Sequence, residues 1–402
     1  MAMTPRAEDF ERLAIRWADA PHTAEGYPNI IAAISAFPER FVANRDSLPQ
    51  NDTDRAFALV CRACDLLDVK LSSAADDAEA NRLTAEATNC LDEALKLDPT
   101  CYDALRIRHG LEFGPRDAMV SFLTESVDEV LEMCQAASRS ADVEAPRGSW
   151  SHSVYMRPYL RWQLNLANEQ LNCGRYRRSL EVCERLLEED VPDLAGARLV
   201  AAYDCVKLED PEALAALMAR YPGDDNAWFA LARLFLAYKQ RRLDDAAAIL
   251  HDIVRRFPLA GTTLTYQDEL PAGSFGHLEY APGSADELFV AVSEAAVILD
   301  ENCGEGLSPL SQWIADDAIV SQAREAEEAQ QAVEDAREAA ASGKPAAGGP
   351  AGSSGASGSS GAPGGFGPAG DAGSGGPVGN AGSGGPAAGP ASPAADDDEG
   401  GR

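Results

Sequence analysis

An all-α solenoid of helical hairpins, closed by a capping helix and followed by a disordered tail, is the fold this 402-residue sequence predicts. Three observations predict it. From Thr53 to Phe257 apolar residues recur at three- and four-residue steps, the spacing of one helical face, with almost no sustained strand-like alternation. The breaks between these stretches carry helix-ending chemistry: Asp98-Pro99, Gly174 and Pro258. The stretches also pair, and the pairs resemble one another at a period of about 34 residues, as repeat proteins do.

Taken in order, residues 1–51 form an N-terminal helical segment, with helices expected over Pro5–Ala18 and Asn29–Phe37. Residues 52–258 carry the repeats. Their helices are expected over Asp52–Val69, Ala80–Leu97, Thr100–Glu112, Ala118–Ser138, Arg157–Asn172, Tyr176–Glu189, Asp193–Leu208, Pro211–Arg220, Asn226–Gln240 and Leu243–Phe257. Residues 259–317 read as an irregular loop and a capping helix over Ala285–Leu299; Thr262–Tyr266 and His277–Tyr280 are β-prone. Residues 318–342 favour helix by propensity but offer hardly any apolar stripe, which predicts a solvated helical spacer. Residues 343–402 hold 21 of the 34 glycines and almost no apolar bulk, so burial cannot offset the entropy of ordering them and a disordered tail is expected.

The hairpins resemble tetratricopeptide repeats. Ala87-x3-Leu91-x2-Ala94 followed by Leu97-Asp-Pro99 is the clearest second helix, its small residues allowing close helix approach. Leu166-Ala167, Gly174-Arg-Tyr176, Cys183 and Leu186-Leu187 form a second unit, and Trp228-x2-Leu231-Ala232-x2-Phe235 with Ala246-x3-Leu250-x2-Ile253 a third. A narrower resemblance covers Tyr155 to Trp313. Arg157-Pro-Tyr159-Leu-Arg161, the Gly-Arg-Tyr turn, Asp193-x2-Gly196-x-Arg198 and Tyr221-Pro222-x-Asp224 are similar to the core of the suppressor-of-tumorigenicity-seven family and its bacterial relatives. Pro282-Gly-Ser284, the acidic helix after it and Leu310-x2-Trp313 resemble that family's closing helix. Ser179 and Leu186 depart from the pattern, standing where repeat alanines are usual. The resemblance implies a fold and no defined activity.

Charge narrows the partners. With 34 Lys and Arg against 65 Asp and Glu, the net charge of −31 repels phosphate backbones and anionic lipid heads. Neither nucleic acid nor a membrane surface is expected as a partner. Nine cysteines scattered through helices, and a start without the apolar core of a secretory signal, suggest a reducing cytoplasm.

No catalytic or cofactor motif stands out. Cys61-x2-Cys64 has metal-ligand spacing, but no second pair follows, and one helical turn explains it; no metal and no cofactor are expected. His152 beside Ser151 and Ser153 reads as a loop histidine. The expected function is therefore non-catalytic binding of a protein or peptide on the concave face lined by first helices. Arg161, Leu164, Asn168 and Asn172 would face inward on one unit, and Asn226, Phe229, Arg233 and Leu236 on another. Asn168 matches a position used by repeat domains that clamp a terminal carboxylate, although Leu164 replaces the usual lysine. Arg161, Asn168, Arg198 and Arg233 are the candidate partner-binding residues, the arginines orienting acidic groups. The alternative is a hydrolase or transferase with His277 or His251 as base, using the loop 259–283.

Overall fold

The computed structural model describes residues 4–20, 30–112, 114–141, 145–267, 280–300 and 307–342. Among these every regular element is helical; extended pairing is limited to isolated bridges from Gly148 and Ser149 to Asp190. The tail over 343–402 and His277 lie outside the described residues.

Helix α1 (Pro5–Asp19) starts where the Thr4 hydroxyl accepts from the Ala7 amide and Pro5 needs no amide partner. Helix α2 (Ile30–Asn44) runs past its expected end, through Pro38. Proline there removes one backbone hydrogen bond, but Phe37 and Phe41 on either side pack edge-on or tilted against each other and against Phe10, holding the helix to α1. A capping box between Asn51 and Asp54 opens α3 (Asp52–Cys64), which widens into a π-helical turn over Asp65–Lys70. Asp76 caps α4 (Asp77–Leu97), and the turn at Asp98-Pro99 leads into α5 (Tyr102–Gly110).

The long α6 (Arg116–Ser140) lies against α7 (Arg157–Asn172), and α7 against α8 (Tyr176–Glu189). Gly174, at φ 74°, makes the left-handed turn between α7 and α8. Helix α9 (Ala197–Lys207) begins four residues later than the sequence suggests, because Asp193 (φ 48°) and Gly196 (φ 89°) spend that stretch on a left-handed turn. Helices α10 (Pro211–Arg220), α11 (Ala227–Lys239) and α12 (Leu243–Arg256) follow. The first helices of successive hairpins, α7, α9 and α11, pack on one another, whereas α10 and α12 form no close seam.

Thr262–Thr265 of the β-prone run are helical instead, with Tyr266 as the C-cap. They belong to α13 (Ala260–Thr265), whose first amides are capped from outside. Helices α14 (Ala285–Glu294), α15 (Ala296–Leu299) and α16 (Pro309–Ala315) lead to the 25-residue α17 (Ala318–Ser342). The main core runs without interruption from Tyr102 to Val320, with smaller cores under α1/α2 and α3/α4. Ala87, Ala94 and Ala167 have no exposed surface, in keeping with close helix crossings. Ser179 is equally buried and donates to the Ala167 carbonyl at 2.9 Å, so a small hydroxyl does the work of the usual alanine there.

Candidate functional site

Arg161 does not face an open groove. It is 7% exposed, and its guanidinium donates to Glu8 at 2.6 Å and to Asp103 at 2.7 Å. Arg12 donates to the same Glu8 at 2.7 Å and 2.9 Å, stacking 4.3 Å above the Phe57 ring. Arg157 reaches the Glu11 carboxylate at 2.6 Å and the Ser151 carbonyl at 2.8 Å. Both arginines of the Arg-Pro-Tyr-x-Arg motif therefore fasten α1 to α7. Burial pushes the Glu8 carboxyl up, but Arg161 and Arg12 outweigh it and hold it below its usual range; Asp103 is lowered in the same way by Arg161 and Arg106. A partner's carboxylate would have to displace Glu8 or Asp103 to reach Arg161.

Arg198 is likewise engaged within the chain. The Asp193 carboxylate accepts from the amides of Gly196, Ala197 and Arg198 at 3.1, 2.7 and 3.0 Å, capping α9, and from the Arg198 side chain at 2.8 Å. Arg198 also donates to Asp224 at 2.7 Å and lies over the Tyr221 ring. The Asp-x2-Gly-x-Arg and Tyr-Pro-x-Asp motifs are thus two halves of one clasp between turns, which explains their spacing without invoking a ligand. Asn168 sits half-buried on α7, its carbonyl accepting from Asn172 at 2.9 Å.

The face of α9 and α11 that a groove would need is covered by the chain itself. Tyr203 on α9 donates to the Ala291 carbonyl at 2.6 Å, Lys207 to the Val297 carbonyl at 3.0 Å, and Trp228 on α11 to Glu294 at 2.7 Å. Glu287 accepts from the Ala227 amide at 2.8 Å. Leu288 and Ala291 of α14, Ala295 between the two helices and Ile298 of α15 are fully buried. Phe229, expected to face inward, is 1% exposed in this core.

Arg233 points the other way. It is exposed and, among the described residues, has no ion-pair partner. With Leu236 it forms the floor of an open groove of about 490 Å³ between α10 and α12, walled by Leu214, Ala215, Met218 and Ile249. Arg242 and Asp245 at its end pair with each other at 2.7 Å. Helical spacing puts Arg161 on α7 and Arg233 on α11 but carries no information on which side of each helix the chain leaves open. The groove's apolar walls come from α10 and α12, and their partial exposure was the missing signal.

Of the catalytic alternative, His277 and residues 268–279 of its loop lie outside the described residues. His251 pairs through Nε2 with Asp317 at 3.1 Å, and among the described residues no hydroxyl or thiol is bonded to the imidazole. Ser151 is fully buried, and its hydroxyl is held by Asp190 at 2.6 Å rather than by His152. Cys61 donates to the Pro5 carbonyl, Cys64 lies in the α3/α4 core, and burial pushes both thiols upward. Comparison of the chain with protein-family models, curated proteins and solved structures returned no match.

Proposed function

We propose that the protein is a non-catalytic, tetratricopeptide-like binding module that holds an acidic, amphipathic peptide segment in the groove between α10 and α12. The solenoid reading rests on consecutive helical hairpins whose first helices pack on one another, together with the motif resemblance. Arg233 carries the choice of site: it is the candidate arginine left exposed and, among the described residues, without a carboxylate partner, and it borders an apolar groove. A helical partner would bury its apolar stripe on Leu214, Met218 and Leu236 and present a carboxylate to Arg233. The groove's low polarity strengthens that pair relative to one in open water.

Selection of helical peptides from a displayed random library against the intact chain tests this. Recovered sequences are expected to combine apolar residues at helical spacing with Asp or Glu. In calorimetry Arg233→Ala should weaken them by about 1.5–3 kcal/mol, whereas Arg178→Ala on α8 should change little. Equal affinity for both variants, or selected peptides without acidic residues, would remove the groove from consideration.

A further inference from the structure

A second cavity, of about 330 Å³, opens beside the buried charge cluster, between α1, α3, α5, α6 and the start of α7. Its walls are largely apolar, from Phe57, Tyr102, Met133 and Cys134, and its polar depth is formed by Arg12 and Asp103. That is the composition of a small-molecule site: a mostly hydrophobic hollow with a few fixed polar groups. We propose that this cavity binds a small monocarboxylate with an apolar body, its carboxylate on Arg12.

The argument rests on the hydrogen bonds that Arg12 does and does not make. Its Nε and Nη2 are committed to Glu8, and Nη2 also to the Val154 carbonyl at 3.0 Å. Nη1 has no hydrogen bond among the described residues, and Arg12, 7% exposed, lines the cavity. Charge balance points the same way. Arg12 and Arg161 share Glu8, Arg161 and Arg106 share Asp103, and Arg157, 3.9 Å from Glu8, pairs with the exposed Glu11, so four buried guanidiniums face two buried carboxylates and one at the surface. Arg106 Nε is also without a partner. Asp68, a further carboxyl near Arg106, is driven by burial to about 7 and supplies only part of a charge at neutral pH. Uncompensated charge in a desolvated cluster is costly, and one carboxylate against Arg12 completes the count.

The lining also limits the ligand. Both oxygens of Asp103 are occupied by Arg161, so Asp103 does not compete for Arg12. Asp98 is half-exposed on the lining and turned towards Thr100, where it accepts at 2.7 Å and 2.9 Å. Its charge disfavours a dianion such as a phosphate monoester. Met133, 40% exposed, gives the opening an apolar edge.

Calorimetry on the full chain with hexanoate and 3-phenylpropanoate, each against its neutral amide, tests the proposal. The carboxylates are expected to bind at least tenfold more tightly than the amides. Arg12→Lys, which keeps a charge for Glu8 but removes the guanidinium fork, should weaken hexanoate about tenfold. Ala136→Phe, on the partly exposed lining of α6, should abolish binding with unchanged circular dichroism. Absence of binding at millimolar ligand, equal affinity for acid and amide, or hexanoate binding that survives Ala136→Phe would each overturn it.

Discussion

Two terminal helices, α1 and α17, are attached to the same stack by opposite means. Helix α1 is held by charge: Glu8 has no exposed surface and is clamped by Arg12 and Arg161, with Asp9 and Glu11 paired to Arg45 and Arg157 around it. Helix α17 is held by close approach. A Cβ on Gly261 would lie 2.2 Å from the Arg324 amide nitrogen and 2.6 Å from the Ala323 carbonyl carbon, so only glycine lets α13 and α17 cross at this distance. Glu327 then reaches back to accept from the Gly261 and Thr262 amides at 3.0 and 2.7 Å, capping α13 from another helix. Beyond that crossing α17 is exposed from Glu328 to Arg337. Attaching a helix does not require a long apolar stripe: a desolvated ion cluster does it in one place, and a missing side chain does it in the other.

The two attachments should fail differently. Arg161→Ala leaves Glu8 and Asp103 buried with their main counter-charge gone, and removing one member of a buried pair costs about 3–5 kcal/mol. Urea denaturation should show that loss; a change below about 1 kcal/mol would mean that water enters the seam and that the cluster is not desolvated. Gly261→Ala forces the crossing apart, an overpacking cost of about 1–3 kcal/mol. Hydrogen exchange should then rise along the first turns of α17 while α1 stays protected, and equal exchange in the two helices would erase the distinction between them.

A third variant separates paired from unpaired buried charge, with the smallest effect near pH 4. Asp204 is fully buried, lies 2.6 Å from the Ser179 hydroxyl, and has no cation beside it among the described residues; burial raises it from 3.8 to about 8. The folded state therefore holds a proton that the unfolded chain releases. Its stability should fall as pH rises from about 4 to about 8, with a slope approaching 1.4 kcal/mol per pH unit. Asp204→Asn should remove that component of the slope and stabilise the protein most at the alkaline end. Melting temperatures of both proteins across this range check it; parallel curves would show that Asp204 is already ionised in the fold.

What was legible in the sequence follows the range of the interactions. Helices whose ends depend on local chemistry, at Asp98-Pro99, Gly174 and Pro258, lie close to where turn residues and periodicity put them. Thr262–Tyr266 was misread because β-branched propensity is a weak preference, and here Glu327, 65 residues away, supplies the cap that makes a helix. The candidate site suffered from the same limit. Arg161 and Arg198 stood out as motif arginines, but of the carboxylates that engage them only Asp193 is local, five residues before Arg198; the others lie 153, 58 and 26 residues away, and no local pattern announces such partners. Periodicity also finds a helix's buried face without saying whether another chain or its own later segment will cover it.

Tyr203 and Trp228 come off the ribosome 88 and 66 residues before Ala291 and Glu294, the residues that cover them. At bacterial to eukaryotic synthesis speeds of about 5–20 residues per second, that is a wait of roughly 4–18 s for Tyr203, during which the apolar side of α9 is open to other nascent chains. A ribosome that stalls before Ala285 holds a stack with one sticky flank, so the interval between the translation of α9 and α14 is where this chain most needs a chaperone.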